Sequence, residues 1–462
     1  MITKQEILKL KCELVQNRKV PDSFDNVSID SRNVNGNSIF IAIKGETTDG
    51  HNYIDKVVKS KVRLIFVNKK WYTKNKNKYP KQNFVVVADT IKTLGQLALI
   101  HRDRMNIPVF AVAGSNGKTS TKDIIAEVFA KKFNVIKTEG NFNNHIGLPL
   151  TLLRIEDHHN FCVAELGSNH FNELEYLCNI AKPDFALVTN IGKEHLEFFK
   201  DLKGVAKEEF QVYDWVNKNG SCCFYNLDDS FIKAYYGKHK NNSFTYSYKY
   251  SSDVKGKMEG FDNAFRPKLT FKYNNKNYKT YINTFGKHSY FNGLSAIAVG
   301  IYFGIQPSVI SDALKSISNI SSKRMEFKEY RGIKVINDAY NSNPDSVKLG
   351  LETMKDFKSK GRKHIILSDM LEMGKASKSE HTEIGSLLKK MNFDFNYFYG
   401  DMSYHTFKGA RGLKNSFYFE DKADLSVFLK VNIKDGDILY VKGSRGMKME
   451  EVIQDVFTNK LN

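Results

Sequence analysis

Three features of this sequence predict an α/β fold in three domains. Short apolar runs of strand length alternate with helix-length segments along most of the chain, the pattern of a mostly parallel sheet flanked by helices. A glycine-rich turn, Gly114-Ser-Asn-Gly-Lys-Thr119, lies between one such run and the next helical stretch. The 462 residues suffice for three domains of roughly 100–200 residues each. The expected divisions are a small N-terminal α/β domain over 1–84, a central P-loop-type parallel-sheet domain with added antiparallel strands over 85–315, and a C-terminal Rossmann-like domain over 316–462.

Taken in order, Met1–Val15 reads as an amphipathic helix, Ser38–Ile43 and Val62–Val67 as strands, and Lys69–Gln82 as an exposed loop rich in Lys and Asn. Val85–Ala88 is another strand. Asp89 or Thr90 is placed to cap a helix to Met105, with Leu94, Leu97, Ala98 and His101 on one side. Val109–Ala113 is a strand, and Lys118 opens a helix. Strand-like runs recur at Phe161–Glu165, Phe185–Asn190 and Ser221–Tyr225. Ser243–Phe285 is rich in Tyr, Thr and Phe and predicts antiparallel hairpins, followed by a helix over Ser289–Phe303. From Ser316 the runs Ile333–Asn337, His364–Leu367, Phe395–Tyr399 and Ile438–Val441 are again spaced by helix-length segments, which predicts the Rossmann-like domain.

Composition excludes several classes. Hydrophobic residues are 41% and charged residues 26% of the chain, too balanced for a disordered or fibrous protein. Lys+Arg is 70 against 51 Asp+Glu, a net charge of +19 that suits polyanionic ligands. The basic residues are spread along the chain without an aromatic-lined groove or recognition motif, which argues against nucleic acid as a partner. Cys12, Cys162, Cys178, Cys222 and Cys223 show no CxxC spacing and fit a reducing compartment. No apolar run reaches the ~18 residues of a membrane span, and the N-terminus lacks a signal-peptide core. A soluble cytoplasmic monomer without membrane insertion is expected.

The chemistry-bearing signal is the turn at 114–119. Glycines there let the backbone aim N–H groups at phosphate oxygens, and the following helix N-terminus favours an anion. Lys118 is placed to reach the outer phosphates and Thr119 to ligate Mg²⁺. The turn differs from the usual GxxxxGK[ST] loop because Val112 stands at its first Gly. By themselves, Glu165 at a strand end reads as a solvated residue, His195 as a surface histidine and Lys207 as part of a charged helix face.

The segment GSNGKTST resembles the nucleotide loop of the Mur ligase superfamily, ATP-dependent amide-forming ligases. Further segments agree in order: Thr138-Glu-Gly-Asn-Phe-Asn-Asn-His-Ile-Gly-Leu-Pro149, Glu165-Leu-Gly-Ser-Asn169, Asn190-Ile-Gly-Lys-Glu-His-Leu-Glu197, Lys207-Glu-Glu209 and Gly286-Lys-His-Ser-Tyr-Phe-Asn292. In the last, Ser289 replaces the family's first Asn, so Asn292 alone is carried over. Asn337-Asp-Ala-Tyr-Asn-Ser-Asn-Pro-Asp-Ser346, Leu367-Ser-Asp-Met-Leu-Glu-Met-Gly374 with Glu380-His381, and Val441-Lys-Gly-Ser-Arg-Gly-Met-Lys-Met-Glu450 resemble signatures of the members that join D-alanyl-D-alanine to UDP-N-acetylmuramoyl-tripeptide. Ile29-Asp-Ser-Arg32 and Phe40 through His51 resemble their UDP-binding domain.

The resemblance implies the following roles. Gly114, Ser115, Asn116, Gly117, Lys118, Thr119, Ser120, Asn292, Arg324, Asp338 and Asn341 would bind ATP. Thr119 and Glu165 would hold one Mg²⁺, and Glu165, His195 and a carbamoylated Lys207 a second, with Mn²⁺ able to substitute. Lys118, Lys207 and His195 would be catalytic. Ser31, Arg32, Asn143, Asn144, Lys442, Ser444 and Arg445 would contact the UDP-peptide or the D-alanyl-D-alanine. The product would be the UDP-muramyl-pentapeptide used for peptidoglycan, made through an acyl phosphate. Two other readings are a related ligase adding one amino acid (muramyl-tripeptide synthetase or folylpolyglutamate synthase) and a nucleic-acid-binding NTPase. Hinges are expected near 84–107 and 314–330.

Overall fold

Five strands form the first sheet, in the order Glu13–Val15, Phe84–Val87, Leu64–Asn68, Ser38–Ile41 and Asn26–Ser28. Only the Glu13–Val15 edge runs antiparallel. Alternate residues of its strands serve two cores, Phe40, Ile65, Val67 and Phe84 on one face and Ile39, Ile41, Leu64, Phe66 and Val85 on the other. That is the period-2 consequence of a strand covered on both sides. The coordinates are a computed structural model that describes residues 1–262, 264–318 and 324–458. Of the second expected hinge, residues 319–323 lie outside the described residues.

Two local expectations are corrected here. The N-terminus is not one helix: Ile2–Thr3 pairs with Ser23–Phe24, and the helix is only Lys4–Leu8, held by a capping box between Thr3 and Glu6. Buried Glu6 also bonds His101 at 2.7 Å, which anchors this short helix to the long helix Thr90–Met105. The stretch expected as a loop over 69–82 contains a helix, Lys69–Asn75, capped by the Asn68 side chain on the Trp71 N–H. Trp71, Tyr72 and Tyr79 pack around Phe84, and that aromatic contact outweighs the polar composition of the segment. The strand Phe84–Val87 carries the first sheet three residues past the boundary expected at residue 84.

The central sheet has nine strands, ordered Lys276–Tyr281, Pro267–Tyr273, Val254–Phe261, Ser243–Ser247, Cys222–Asn226, Phe185–Val188, Val109–Ala113, Phe161–Glu165 and Val135–Lys137. The last three strands in sequence pair antiparallel, as the Tyr- and Thr-rich pattern predicts. Ser243–Ser247 instead pairs parallel with Cys222–Asn226, because the helix Ser230–Tyr236 between them carries the chain back along the sheet, and Tyr246 joins the core beneath. The helices Lys118–Phe129 and His288–Tyr302 cover that core face.

The third sheet runs Glu326–Tyr330, Ile333–Asp338, Ile438–Lys442, Lys363–Ser368, Phe395–Tyr399 and Ser416–Phe419, parallel except for its first strand. The carboxyl ends of its central strands bring Asp338 directly opposite Lys442 in register. Such ends are where open parallel sheets bind ligands. No described helix is long and apolar enough to cross a membrane.

Candidate active site at the phosphate loop

Strand Val109–Ala113 delivers the glycine-rich turn into the floor of a cavity of about 660 Å³. Gly114 and Gly117 have φ of 113° and 81°, a region that side chains rarely adopt. A Cβ at Gly117 would also stand 2.8 Å from Asn292 Oδ1. The turn is pinned from the neighbouring strand end. Ser115 N–H donates to Asn190 O at 2.9 Å, and Asn190 Nδ2 and Thr189 Oγ1 both donate to Asn116 O. The helix from Lys118 therefore points its free N–H groups into a cavity whose shape is already set.

Lys118 is the charge centre of this floor. Its Nζ donates to the Gly114 carbonyl and lies 3.3 Å from Glu194 Oε2. Burial by itself would lower this ammonium, but Glu194, Glu209 and Glu165 outweigh it and hold Lys118 above its ordinary value. Glu209 is 1% exposed and accepts the Gly114 N–H on Oε2. Burial pushes its carboxyl up to about 8, against the pull of Lys118.

Beside the ammonium, Thr119 Oγ1 donates to Glu165 Oε1 at 3.0 Å, and Asn143 Nδ2 donates to the same oxygen at 2.9 Å. The other oxygen, Oε2, is buried without a partner. A hydroxyl and a carboxylate with a spare buried oxygen form a hard-oxygen pair, which fits a Mg²⁺ ion. Of the second expected ligand set, Glu165 and His195 both line the cavity and Lys207 does not. His195 Nδ1 faces the carboxylate of Glu372 on a loop of the third sheet. Lys207 is exposed, does not line the cavity, and lies over the Phe171 ring at 5.8 Å. Among the described residues no three His, Cys, Asp or Glu side chains converge at metal-binding range. The physical reason is helix Leu202–Glu209: Lys207 and Glu209 stand about 200° apart around its axis, and it is the Glu209 side that packs under the loop.

Across the cavity, Lys442 is 2% exposed; its Nζ lies 2.7 Å from Asp338 Oδ2 and 2.9 Å from Asn341 O. Arg324 lies over the Tyr340 ring at 4.0 Å, its Nε buried without a partner. Asp338, Asn341, Lys442, Arg324, Ser120, Asn292, Asn143 and Asn144 all line the same cavity as the phosphate loop. Four further expected residues lie elsewhere. Ser444 is buried and accepts the Leu371 N–H at 2.9 Å, a loop-holding contact. Arg445 pairs with Glu450 at 3.0 Å outside the cavity. Ser31 and exposed Arg32, which forks onto Asp30, sit on the first sheet's outer loop.

The two halves of the cavity touch. Asn343 Nδ2 donates to Asn116 Oδ1 at 2.9 Å, Lys193 N–H to Asp345 Oδ2 at 2.7 Å and Lys193 Nζ to Glu380 Oε1 at 2.5 Å. The sequence reading missed Glu194, Glu209, Asn190, Lys193, Tyr340 and Glu372. All six lie in segments already singled out or beside them, but nothing local distinguishes a buried Glu from a solvated one. His288, pushed down to about 4 by burial, also lines the cavity and is uncharged at neutral pH.

Family models match three stretches of the chain: the Mur ligase catalytic domain over 23–102, the Mur ligase middle domain over 112–300 and the glutamate ligase domain over 323–445. A curated relative from Bacillus subtilis, named UDP-N-acetylmuramoyl-tripeptide–D-alanyl-D-alanine ligase, is 32% identical across 94% of each chain. One of the same name from Haemophilus influenzae is 30% identical over 96% of this chain and 95% of its own. Among solved structures, MurF from Acinetobacter baumannii superposes with a TM-score of 0.87 at 24% identity, covering 98% of both chains. MurF from Thermotoga maritima in complex with ADP has a TM-score of 0.80 at 23% identity, over 93% of this chain and 96% of that one.

Proposed function

The chain belongs to the Mur ligase family, and on that premise we propose that it joins D-alanyl-D-alanine to UDP-N-acetylmuramoyl-tripeptide at the expense of ATP, forming the UDP-muramyl-pentapeptide for peptidoglycan. The observation that carries this reading is the shared cavity. The phosphate loop and Glu165 come from one sheet, and Arg324, Asp338, Asn341 and Lys442 from another. An acyl phosphate must form at the γ-phosphate and be intercepted by an amine before water reaches it, so activation and acceptor sites must face each other across one closed space. The supporting relatives carry the name of this activity at 30–32% identity over nearly the full chain.

The chain's own residues account for the requirements of the reaction. A tripeptide carboxylate oxygen attacks the γ-phosphorus, and the bond to ADP breaks. The acceptor amine then adds to the acyl carbon, loses a proton and expels inorganic phosphate. Two anions meet in the first step. Lys118, fixed by Glu194 and the Gly114 carbonyl, offsets their repulsion, and the loop N–H groups hold the phosphates. Thr119 and Glu165 would hold Mg²⁺, or Mn²⁺ in its place, which neutralises charge on the phosphate oxygens when bound. Arg324, stacked on Tyr340, is held ready for an anionic ligand. Lys442, neutralised by Asp338, presents a fixed dipole rather than a mobile charge to the acceptor side. Ser31 and Arg32 are assigned to the UDP moiety on the N-terminal domain, so the substrate would reach from that domain to the cavity.

The test is phosphate release measured across a matrix of UDP-muramyl peptides and acceptors. Release that requires ATP, Mg²⁺, UDP-tripeptide and D-alanyl-D-alanine together supports the reading. Equal release with single amino acids would replace it with a single-residue ligase, and release stimulated by nucleic acid alone would replace it with a different class.

A further inference from the structure

We propose that the outer face of the N-terminal domain, over residues 54–81, is a docking surface for an anionic lipid membrane. The proposal does not depend on the ligase reading. It starts from a local imbalance of charge. Between Ile54 and Lys81 the sequence carries nine Lys, one Arg and a single acid, Asp55, where the whole chain has 70 basic to 51 acidic residues. All ten cations are exposed, and among the described residues only Lys78 has a carboxylate partner, Asp55 at 2.8 Å. The fold gathers these charges on one side. Helices Ile54–Lys59 and Lys69–Asn75 cover the same face of the first sheet, with Ile54, Val57, Trp71 and Tyr72 packed over one core. Asp55 also accepts the Tyr79 hydroxyl at 2.7 Å, which ties the chain after the second helix to the first helix. With Trp71 and Tyr72 turned inward, Lys69, Lys70 and Lys74 stand on the solvent side of their helix. The other face of the sheet shares its core with the central domain, so the basic face is turned away from the rest of the molecule. No residue of 54–81 lines the phosphate-loop cavity.

The chemistry of the face selects the partner. A stable protein interface centres on apolar and aromatic anchors, and single-stranded nucleic acid stacks its bases on free rings. Here Trp71, Tyr72 and Tyr79 are spent on Phe84. A duplex is read by a helix seated in its groove, but Lys69–Asn75 is seven residues long and held along its flank to the sheet. Nine of the ten cations are Lys, a compact point charge, and Arg, whose planar fork suits individual phosphates, occurs once. What remains is a face that binds through charge alone. That matches a laterally extended layer of anionic headgroups, which attracts clustered Lys within a screening length and needs no pocket. The contact is peripheral and reversible, since the face offers no apolar side chain for insertion from its second helix.

The experiment is co-sedimentation of the full chain with lipid vesicles. Vesicles of equal parts phosphatidylglycerol and phosphatidylcholine should carry the protein down at about 0.05 M NaCl and bind it at least about ten-fold more weakly at about 0.5 M, as the screening length falls from about 14 Å to about 4 Å. Pure phosphatidylcholine vesicles should carry none. Each Lys near an anionic surface raises partitioning roughly five-fold, so Lys69→Glu, Lys70→Glu, Lys74→Glu and Lys76→Glu combined should weaken binding at least about 100-fold. A second variant combines Lys358→Glu, Lys360→Glu, Lys389→Glu and Lys390→Glu, exposed positions on the third domain. It changes the net charge equally and should weaken binding by less than about five-fold, because those charges lie beyond a screening length from the docked face. Equal losses in the two variants would assign binding to overall charge and overturn the proposal. So would binding to the neutral vesicles, or no binding to the mixed vesicles at low salt. Double-stranded RNA that displaces the protein from the vesicles at equal phosphate concentration would overturn it in favour of a nucleic-acid surface. Circular dichroism checks folding. If the first variant does not fold, Lys70→Gln with Lys74→Gln should still lose about ten-fold or more, and parental binding by that pair would overturn the proposal.

Discussion

Replacing Lys118 by Met removes the ammonium from a floor that holds Glu194, Glu209 and Glu165 while keeping the unbranched stem of the side chain. At 3.3 Å from Glu194 the pair attracts by about 5 kcal/mol at an effective dielectric of about 20, before either group's desolvation is counted. The net value is smaller, and removing one partner of a buried pair typically costs about 3–5 kcal/mol because the other charge is stranded. Glu194 is 5% exposed, so it falls in that class unless it takes up a proton. Two effects should follow. The rate of acyl-phosphate formation should fall by about 10²–10³-fold, since the charge that offsets phosphate–carboxylate repulsion is gone. Stability should become more acid-favoured than in the parent: without the pull of Lys118 the buried Glu209 carboxyl rises further, so the stability it contributes is present at low pH and lost as pH rises through its folded-state value. Rapid-quench phosphate release measures the first and urea unfolding at pH 6 and pH 8 the second. A variant within about three-fold of parental rate, or one whose unfolding curves shift with pH as the parent's do, would refute the assignment of Lys118 as the charge centre.

Three further outcomes are expected. Glu209, raised to about 8 by burial against Lys118, should make the free protein lose stability as pH rises from 4.5 towards 8; Glu209→Gln should gain on its parent over that window in thermal unfolding, and an unchanged difference would argue that the carboxyl is ionised throughout. Lys193→Ala removes the 2.5 Å contact to Glu380, and should loosen the closed arrangement, seen as a larger radius of gyration in X-ray scattering and a rise in KM for the UDP-peptide; identical scattering curves would count against a latch. Burial pushes the thiols of Cys162 and Cys222 up to about 12 and holds Cys178 and Cys223 well above the ordinary range, so a thiol reagent near pH 8 should label at most Cys12 in the native protein and all five after denaturation.

Local features can be read directly from the residues. The turn at 114–119 is legible because strand, positive-φ glycines, Lys and helix start are consecutive, and their chemistry follows from spacing of a few residues. The α/β alternation is legible because period-2 and period-3.6 apolar patterns record burial directly. Other features depend on packing between segments distant in the chain. Trp71 and Tyr79 turn a polar stretch into a helix because Phe84 lies beneath them. Asp338 and Lys442, 104 residues apart, become a pair because two parallel strands set their register. Lys207 and Glu209 look alike in a charged run, and only the packing of one helix face under Gly114 makes one a surface cation and the other a buried carboxyl. Charged side chains carry no periodic hydrophobic signal, so which of them faces the loop is fixed by the apolar residues Val205 and Ala206 that seat the helix.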